Sequence, residues 1–212
     1  MTLTDDAKIE AASATYIQAY TGAEMVQPAD QGDTDPQLSS IGSLLGVELD
    51  RTPQGALIDI GCGAGTLLQR MSRKLLECPD WRYVPIEFDV QLAEIFPLAN
   101  KLKLLSRILP MTVEAFGTDP VVVDGRKIYA CRNVMHELRI DKAAHLIANV
   151  CRDFGPNDVF LIQDLAKLPK GERHHHCWLA TLLRDALKAI GFSTVSLDVQ
   201  AWRTGMQWYN VA

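Results

Sequence analysis

Asp59, Gly61, Gly63 and Gly65 are the residues of this chain best placed by type and spacing to hold a ligand. They lie in Ala56-Leu57-Ile58-Asp59-Ile60-Gly61-Cys62-Gly63-Ala64-Gly65-Thr66, an apolar run that meets an acid and then alternating glycines. Glycine lets a backbone turn with positive φ and come close to a bound molecule, and a helix that follows presents free N–H groups. Leu67, Leu68, Met71 and Leu75 recur on one helical face, with Gln69, Arg70, Arg73 and Lys74 elsewhere. The spacing predicts a strand, a ligand loop and an amphipathic helix, which is the arrangement that cradles a nucleoside cofactor.

The class of cofactor follows from what stands beside the glycines. A dinucleotide fingerprint requires its third glycine where this chain has Thr66. Asp59 would crowd a pyrophosphate, yet its carboxylate can receive the ammonium of an amino acid, directly or through water. Both features favour a zwitterionic ligand over a diphosphate. Ile58-Asp59-Ile60-Gly61-Cys62-Gly63-Ala64-Gly65 resembles motif I of the class I S-adenosylmethionine-dependent methyltransferases. The resemblance implies S-adenosylmethionine as cofactor, with the glycine loop wrapped around its methionine part.

An acid is then expected at the end of the next strand, roughly 20 residues beyond the glycines, to hold both ribose hydroxyls. Glu87 meets this requirement at the end of Trp81-Arg82-Tyr83-Val84-Pro85-Ile86-Glu87, although Pro85 lacks a ladder donor. Asp89 competes with it and is read instead as a helix N-cap before Leu92 and Ile95. A third apolar strand, from Lys127 to Cys131, runs into Arg132-Asn133-Val134-Met135-His136-Glu137. Ligands bind at such carboxyl ends in open α/β sheets. This segment resembles the family's fourth strand and following loop, which implies that Asn133 lies near the methionine end of the cofactor. Plant-type O-methyltransferases place a catalytic histidine directly before an acid at a similar point, so the resemblance makes His136, before Glu137, the candidate general base. The alternative for His136 is a structural hydrogen bond to the backbone.

These residues need elements to position them. The expected fold is α/β, the Rossmann-like class I methyltransferase fold: a central seven-stranded, mostly parallel sheet with an antiparallel C-terminal strand and helices on both faces. Residues 1–50 read as an N-terminal helical cap or lid, with a helix over residues 5–20, a loop from Thr21 to Ser40 and a short helix from Ile41 to Leu49. In relatives such N-terminal helices cover the cofactor mouth or shape the acceptor pocket, so the resemblance implies either a lid carrying Tyr16, Tyr20 and Met25 or a piece that only caps the sheet. Residues 51–212 read as the cofactor-binding domain.

Leu92 to Leu109 is expected to be helical, with Pro97 starting or kinking it. The third strand is either Met111–Phe116 or Val121–Val123, so the family's adenine-contacting acid is Asp119 or Asp124. Further along, Asp141–Cys151 reads as a helix and Val159–Ile162 as a strand ending at Gln163-Asp164. A helix over 175–190 follows, with Leu179, Leu182, Leu183, Ala186, Leu187 and Ile190 as its buried face and Gly191 after it. Val195–Val199 and Trp202–Val211 complete a C-terminal hairpin with a turn at Thr204-Gly205.

With 26 acids against 21 bases and no dense basic stripe, the chain does not read as a nucleic-acid binder. It contains no apolar run of about 20 residues that would span a bilayer. Its acidic opening residues lead into no apolar core of a signal peptide, so a cytoplasmic location is expected. Five cysteines without a close CxxC pair fit a reducing compartment. His174-His175-His176 does not form a metal site by spacing, because adjacent side chains diverge. Ala212 follows almost no polar tail, as at a boundary within a larger protein.

The expected function is methyl transfer from S-adenosylmethionine to a hydroxyl of a small molecule. A noncatalytic S-adenosylmethionine-binding module and an NAD(P)-dependent oxidoreductase are the alternatives.

Overall fold

The computed structural model describes residues 36–167, 180–201 and 207–211. The helix expected over residues 5–20, Tyr16, Tyr20, Met25, the three adjacent histidines, Cys177, Leu179 and the turn at Thr204-Gly205 lie outside the described residues.

The strands are β1 (Gln54–Ile60), β2 (Asp80–Glu87), β3 (Met111–Thr112), β4 (Arg126–Arg132), β5 (Val159–Lys167), β6 (Leu197–Ala201) and β7 (Gln207–Val211). They form one sheet in the order β3-β2-β1-β4-β5-β7-β6. β1 to β5 pair in parallel, and β7 runs antiparallel to both β5 and β6. This is the sheet expected from the sequence. The chain order reverses between β1 and β4, and the loops leaving those strands are the ones that carry the glycines and Asn133. A crevice outside the carboxyl ends of the strands at such a reversal is where this architecture binds ligands.

Strands covered on both faces are apolar throughout. Ala56–Ile58 and Ile128–Cys131 accordingly have no exposure. Pro85 sits inside β2 without breaking the sheet. The Tyr83 carbonyl accepts from Leu109 N, on the β3 side, and the period of two turns the nitrogen of Pro85 the same way. Pairing with β3 begins only at Ile86, so no donor is missed there.

The helices are α1 (Pro36–Asp50), α2 (Thr66–Glu77), α3 (Asp89–Lys101), α4 (Val113–Thr118), α5 (Ile140–Asp153) and α6 (Ala180–Ala189). α1 begins inside the segment expected to be loop, with Pro36 at its first position, where the missing N–H costs nothing. The compact unit that holds the sheet begins at Ser40 and so includes most of α1. Within this unit Ile41, Leu45 and Leu49 are buried at helical spacing, and Arg126 of β4 pairs with Glu48. α2 buries Leu67, Leu68, Met71 and Leu75, the face expected of it.

Four local expectations are corrected. α3 stops at Lys101 instead of reaching Leu109, because Lys103 takes φ 61° and Leu104 N turns back onto Ala99 O at 2.8 Å, burying Leu104. Pro97 lies within α3, on its exposed side. The third strand is only Met111–Thr112. The Thr112 hydroxyl then caps α4 by accepting from Ala115 N at 3.1 Å, and this strand-to-helix switch explains the imperfect alternation up to Phe116. Asp89 is the first residue of α3, and the cap is Phe88, without a side-chain bond. The buried face of α6 is narrower than expected: Leu183 and Leu187 are buried, whereas Leu182 and Ile190 are 61% and 54% exposed.

Candidate active site

β1 delivers the glycine loop. Gly61, Gly63 and Gly65 have φ of 69°, 50° and 82°, all in the left-handed region. Gly61 N and Cys62 N donate to Ile86 O at 2.9 and 3.3 Å, which fastens the loop to the end of β2. A Cβ on Gly61 would lie 2.3 Å from Val134 Cγ2, whereas one on Gly63 would meet nothing within 4 Å. The first turn of α2 has no side-chain cap, and Thr66 is its first helical residue.

Glu87, at the end of β2, braces this loop. Its Oε2 accepts from Gly63 N at 3.1 Å and its Oε1 from Phe88 N at 3.0 Å. Each carboxylate oxygen has a second acceptor direction left, which is what a vicinal diol requires.

Asp59 is buried on β1, and the hydroxyl of Tyr83, itself buried on β2, donates to its Oδ2. The parallel register sets Leu57 opposite Tyr83 and Asp59 opposite Pro85, so Tyr83 reaches Asp59 diagonally on one face of the sheet. Burial pushes the Asp59 carboxyl up to about 7, against the Tyr83 hydrogen bond and the charge of Arg132, with Glu87 adding to the rise. Burial also pushes the Cys62 thiol up, which makes it a packing residue of the loop. Cys62, Cys78, Cys131 and Cys151 are free thiols.

β4 and β5 deliver the remaining groups. Asn133 takes φ 55°, a conformation asparagine tolerates, and its N–H donates to Gln163 O at 2.9 Å. Its Oδ1 is buried with no hydrogen-bond partner among the described residues. His136 is 5% exposed. Asp164 Oδ1 lies 2.5 Å from its Nδ1, Asp164 Oδ2 accepts from its main-chain N–H at 3.1 Å, and Glu137 Oε1 lies 3.0 Å from its Nε2. Burial pushes the His136 ring down, but the hydrogen bonds and charges of Asp164 and Glu137 outweigh it and raise it to about 9. The ring is therefore an imidazolium at neutral pH, held at both nitrogens.

The structure thus brings Asp59, Gly61, Gly63, Gly65, Glu87, Asn133 and His136 to the carboxyl ends of β1, β2 and β4. It does not bring the two proposed adenine acids there. Asp119 follows α4, where its carbonyl accepts from Arg152 at 2.7 Å. Asp124 precedes β4 and lines a hollow with Gln54, Asp80 and Arg82, at the opposite ends of the strands. No acid ends β3. A cavity of about 220 Å³ beside Thr112 is lined by Asp89, Leu92, Ala93, Phe96 and Pro110.

Sequence reasoning singled out the acid after His136, but it missed Tyr83 and Asp164 as partners. The alternation of Tyr83, Pro85 and Glu87 places them on one face, but which residue of β1 they meet depends on register. Among the described residues no group of three or more His, Cys, Asp or Glu side chains is placed to hold a metal ion, and no helix is long and apolar enough to cross a membrane.

No protein-family model matches the chain, and no curated protein matches it by sequence. Solved structures do match. An O-methyltransferase family 2 protein from Planctomyces limnophilus, in complex with apigenin, superposes with TM-score 0.55 at 15% identity, over 89% of this chain and 62% of that one. An O-methyltransferase family protein from Burkholderia thailandensis gives TM-score 0.59 at 11% identity, over 92% and 62%. An N,N-8-amino-8-demethyl-D-riboflavin dimethyltransferase from Streptomyces davawensis gives 0.55 at 17%, over 81% and 54%. The chain spans less than two thirds of the length of each of these. The sheet order, the antiparallel β7 and these superpositions agree: the chain has the class I S-adenosylmethionine-dependent methyltransferase fold.

Proposed function

We propose that this chain binds S-adenosylmethionine at the carboxyl ends of β1, β2 and β4 and transfers its methyl group to a hydroxyl of a small molecule. The observation that carries the cofactor reading is the open space over Gly63, flanked by a buried Asp59 and a Glu87 with acceptor capacity to spare. The residues present fit the group. Asp59 would receive its ammonium, the backbone of Gly61, Gly63 and Gly65 would follow its methionine part, and Glu87 would take the two ribose hydroxyls. The orphaned Oδ1 of Asn133 offers an acceptor near the methionine end. Bound there, the sulfonium supplies an electrophilic methyl group.

His136 is the proposed base. Asp164 fixes the ring through Nδ1, so Nε2 is the nitrogen that would take the acceptor's proton as its oxygen attacks. For this, Glu137 must release Nε2 and the ring must give up its own proton. The engagement of Nε2 by Glu137 favours a second reading, in which the clamp is structural and the chain binds the cofactor without turnover. Neighbours of this fold include proteins named for O-methyl transfer and one named as an N,N-dimethyltransferase, so the fold leaves the acceptor atom open.

Calorimetry with S-adenosylhomocysteine and NADH side by side tests the cofactor, and incubation with methyl-labelled S-adenosylmethionine in cell extract tests turnover. The proposal predicts binding of S-adenosylhomocysteine alone and a labelled small molecule. Binding without any labelled product supports the noncatalytic module instead, and binding of NADH alone rejects both.

A further inference from the structure

Tyr83 plays no part in the function proposed above, yet it makes the one hydrogen bond that the Asp59 carboxyl receives among the described residues. Both residues are buried, at 1% and 2% exposure, so the pairing is insulated from solvent. A carboxyl group has two oxygens, and an ammonium placed against one is best held when the other is already fixed. Resting on the cofactor reading, we propose that Tyr83 is a positioning residue that makes the crevice selective for ligands bearing a primary ammonium: its hydroxyl occupies Oδ2 of Asp59 and leaves Oδ1 for the ligand's amino group.

The groups facing Asp59 are few. Tyr83 and Glu87 come from β2, Arg132 and Cys131 from β4, and Cys62 from the glycine loop. Arg132 is the cation among them. The Tyr83 hydrogen bond favours the charged carboxylate that an ammonium needs, and burial opposes it. Removing the hydroxyl therefore lets the carboxyl keep its proton to higher pH, and ammonium binding must then displace that proton.

The test uses the full chain, with Tyr83→Phe, which preserves the ring and its packing. Two probes are titrated by calorimetry: S-adenosylhomocysteine, which carries the ammonium, and 5′-methylthioadenosine, which shares the nucleoside and thioether but lacks the amino acid. At neutral pH, Tyr83→Phe should bind S-adenosylhomocysteine about tenfold more weakly, equivalent to ~1.4 kcal/mol, and 5′-methylthioadenosine unchanged. The first deficit should shrink as the pH is raised from neutral, because Asp59 then ionises in the variant as well, while the probe keeps its ammonium charge. Unchanged affinity for both probes overturns the inference. An equal loss for both marks Tyr83 as merely structural and overturns it too. A wild-type chain that takes up neither probe overturns the cofactor reading, and the inference falls with it.

Discussion

Asp164 holds His136 twice, through the ring Nδ1 at 2.5 Å and through the main-chain N–H at 3.1 Å, so one buried carboxylate fixes both the orientation of the imidazole and the loop that carries it. β5 places this acid beside the end of β4, since Cys131 pairs with Ile162 and Arg132 with Gln163. The far nitrogen meets Glu137.

That clamp sets a pH dependence. The His136 ring is raised to about 9, so the proton leaves it only in alkaline solution. If the neutral ring is the base, kcat/KM climbs with pH and levels off near 9. Glu137→Gln removes one of the two carboxylates that hold the proton, so the plateau should be reached at lower pH in that variant. A profile that stays flat from neutral pH upward in both proteins would contradict a base role.

His136→Ala separates chemistry from binding. General bases contribute about 10²–10⁴-fold, so turnover should fall by at least about 100-fold. Calorimetric affinity for S-adenosylhomocysteine should barely move, because His136 is proposed to face the acceptor. Comparable turnover in the variant would make the residue structural.

Asp59 should cost stability in return for its proposed role. Its carboxyl is raised from 3.8 to about 7, so its contribution to stability is full below the lower value and is lost as pH rises through the higher one. Asp59→Asn has no charge to desolvate and can still accept from Tyr83. Urea unfolding at about pH 8 should show the variant more stable by roughly 2–4 kcal/mol, with the gap closing toward about pH 4. The same variant should lose affinity for S-adenosylhomocysteine. A variant less stable than wild type at about pH 8 would show that burial does not raise this carboxyl.

Much of this arrangement was legible in the sequence because it is local. The glycine spacing fixes the loop, the 3.6-residue period fixes α2, and the carboxyl-terminal positions of Glu87 and Asn133 follow from where apolar strands end. What escaped depended on contacts distant along the chain. Asp164 meets His136 across 28 residues, and Tyr83 meets Asp59 across 24, each through strand register. The short β3 escaped for a different reason: Thr112 ends a strand and caps a helix at once, which blurs both periods. Asp119 and Asp124 both lie beyond α4, away from the end of β3, because that strand stops at Thr112.

The central claim, that the bend after β1 holds the cofactor, is tested most directly at Gly63. Its φ of 50° gives valine a strain of about 1–2 kcal/mol, and a Cβ there meets no protein atom within 4 Å, so the fold should survive while the side chain enters the open space over the loop. Calorimetric titration of wild type and Gly63→Val with S-adenosylhomocysteine should give binding to the first and none to the second, with matching circular dichroism. Equal affinity in the two proteins would contradict the account.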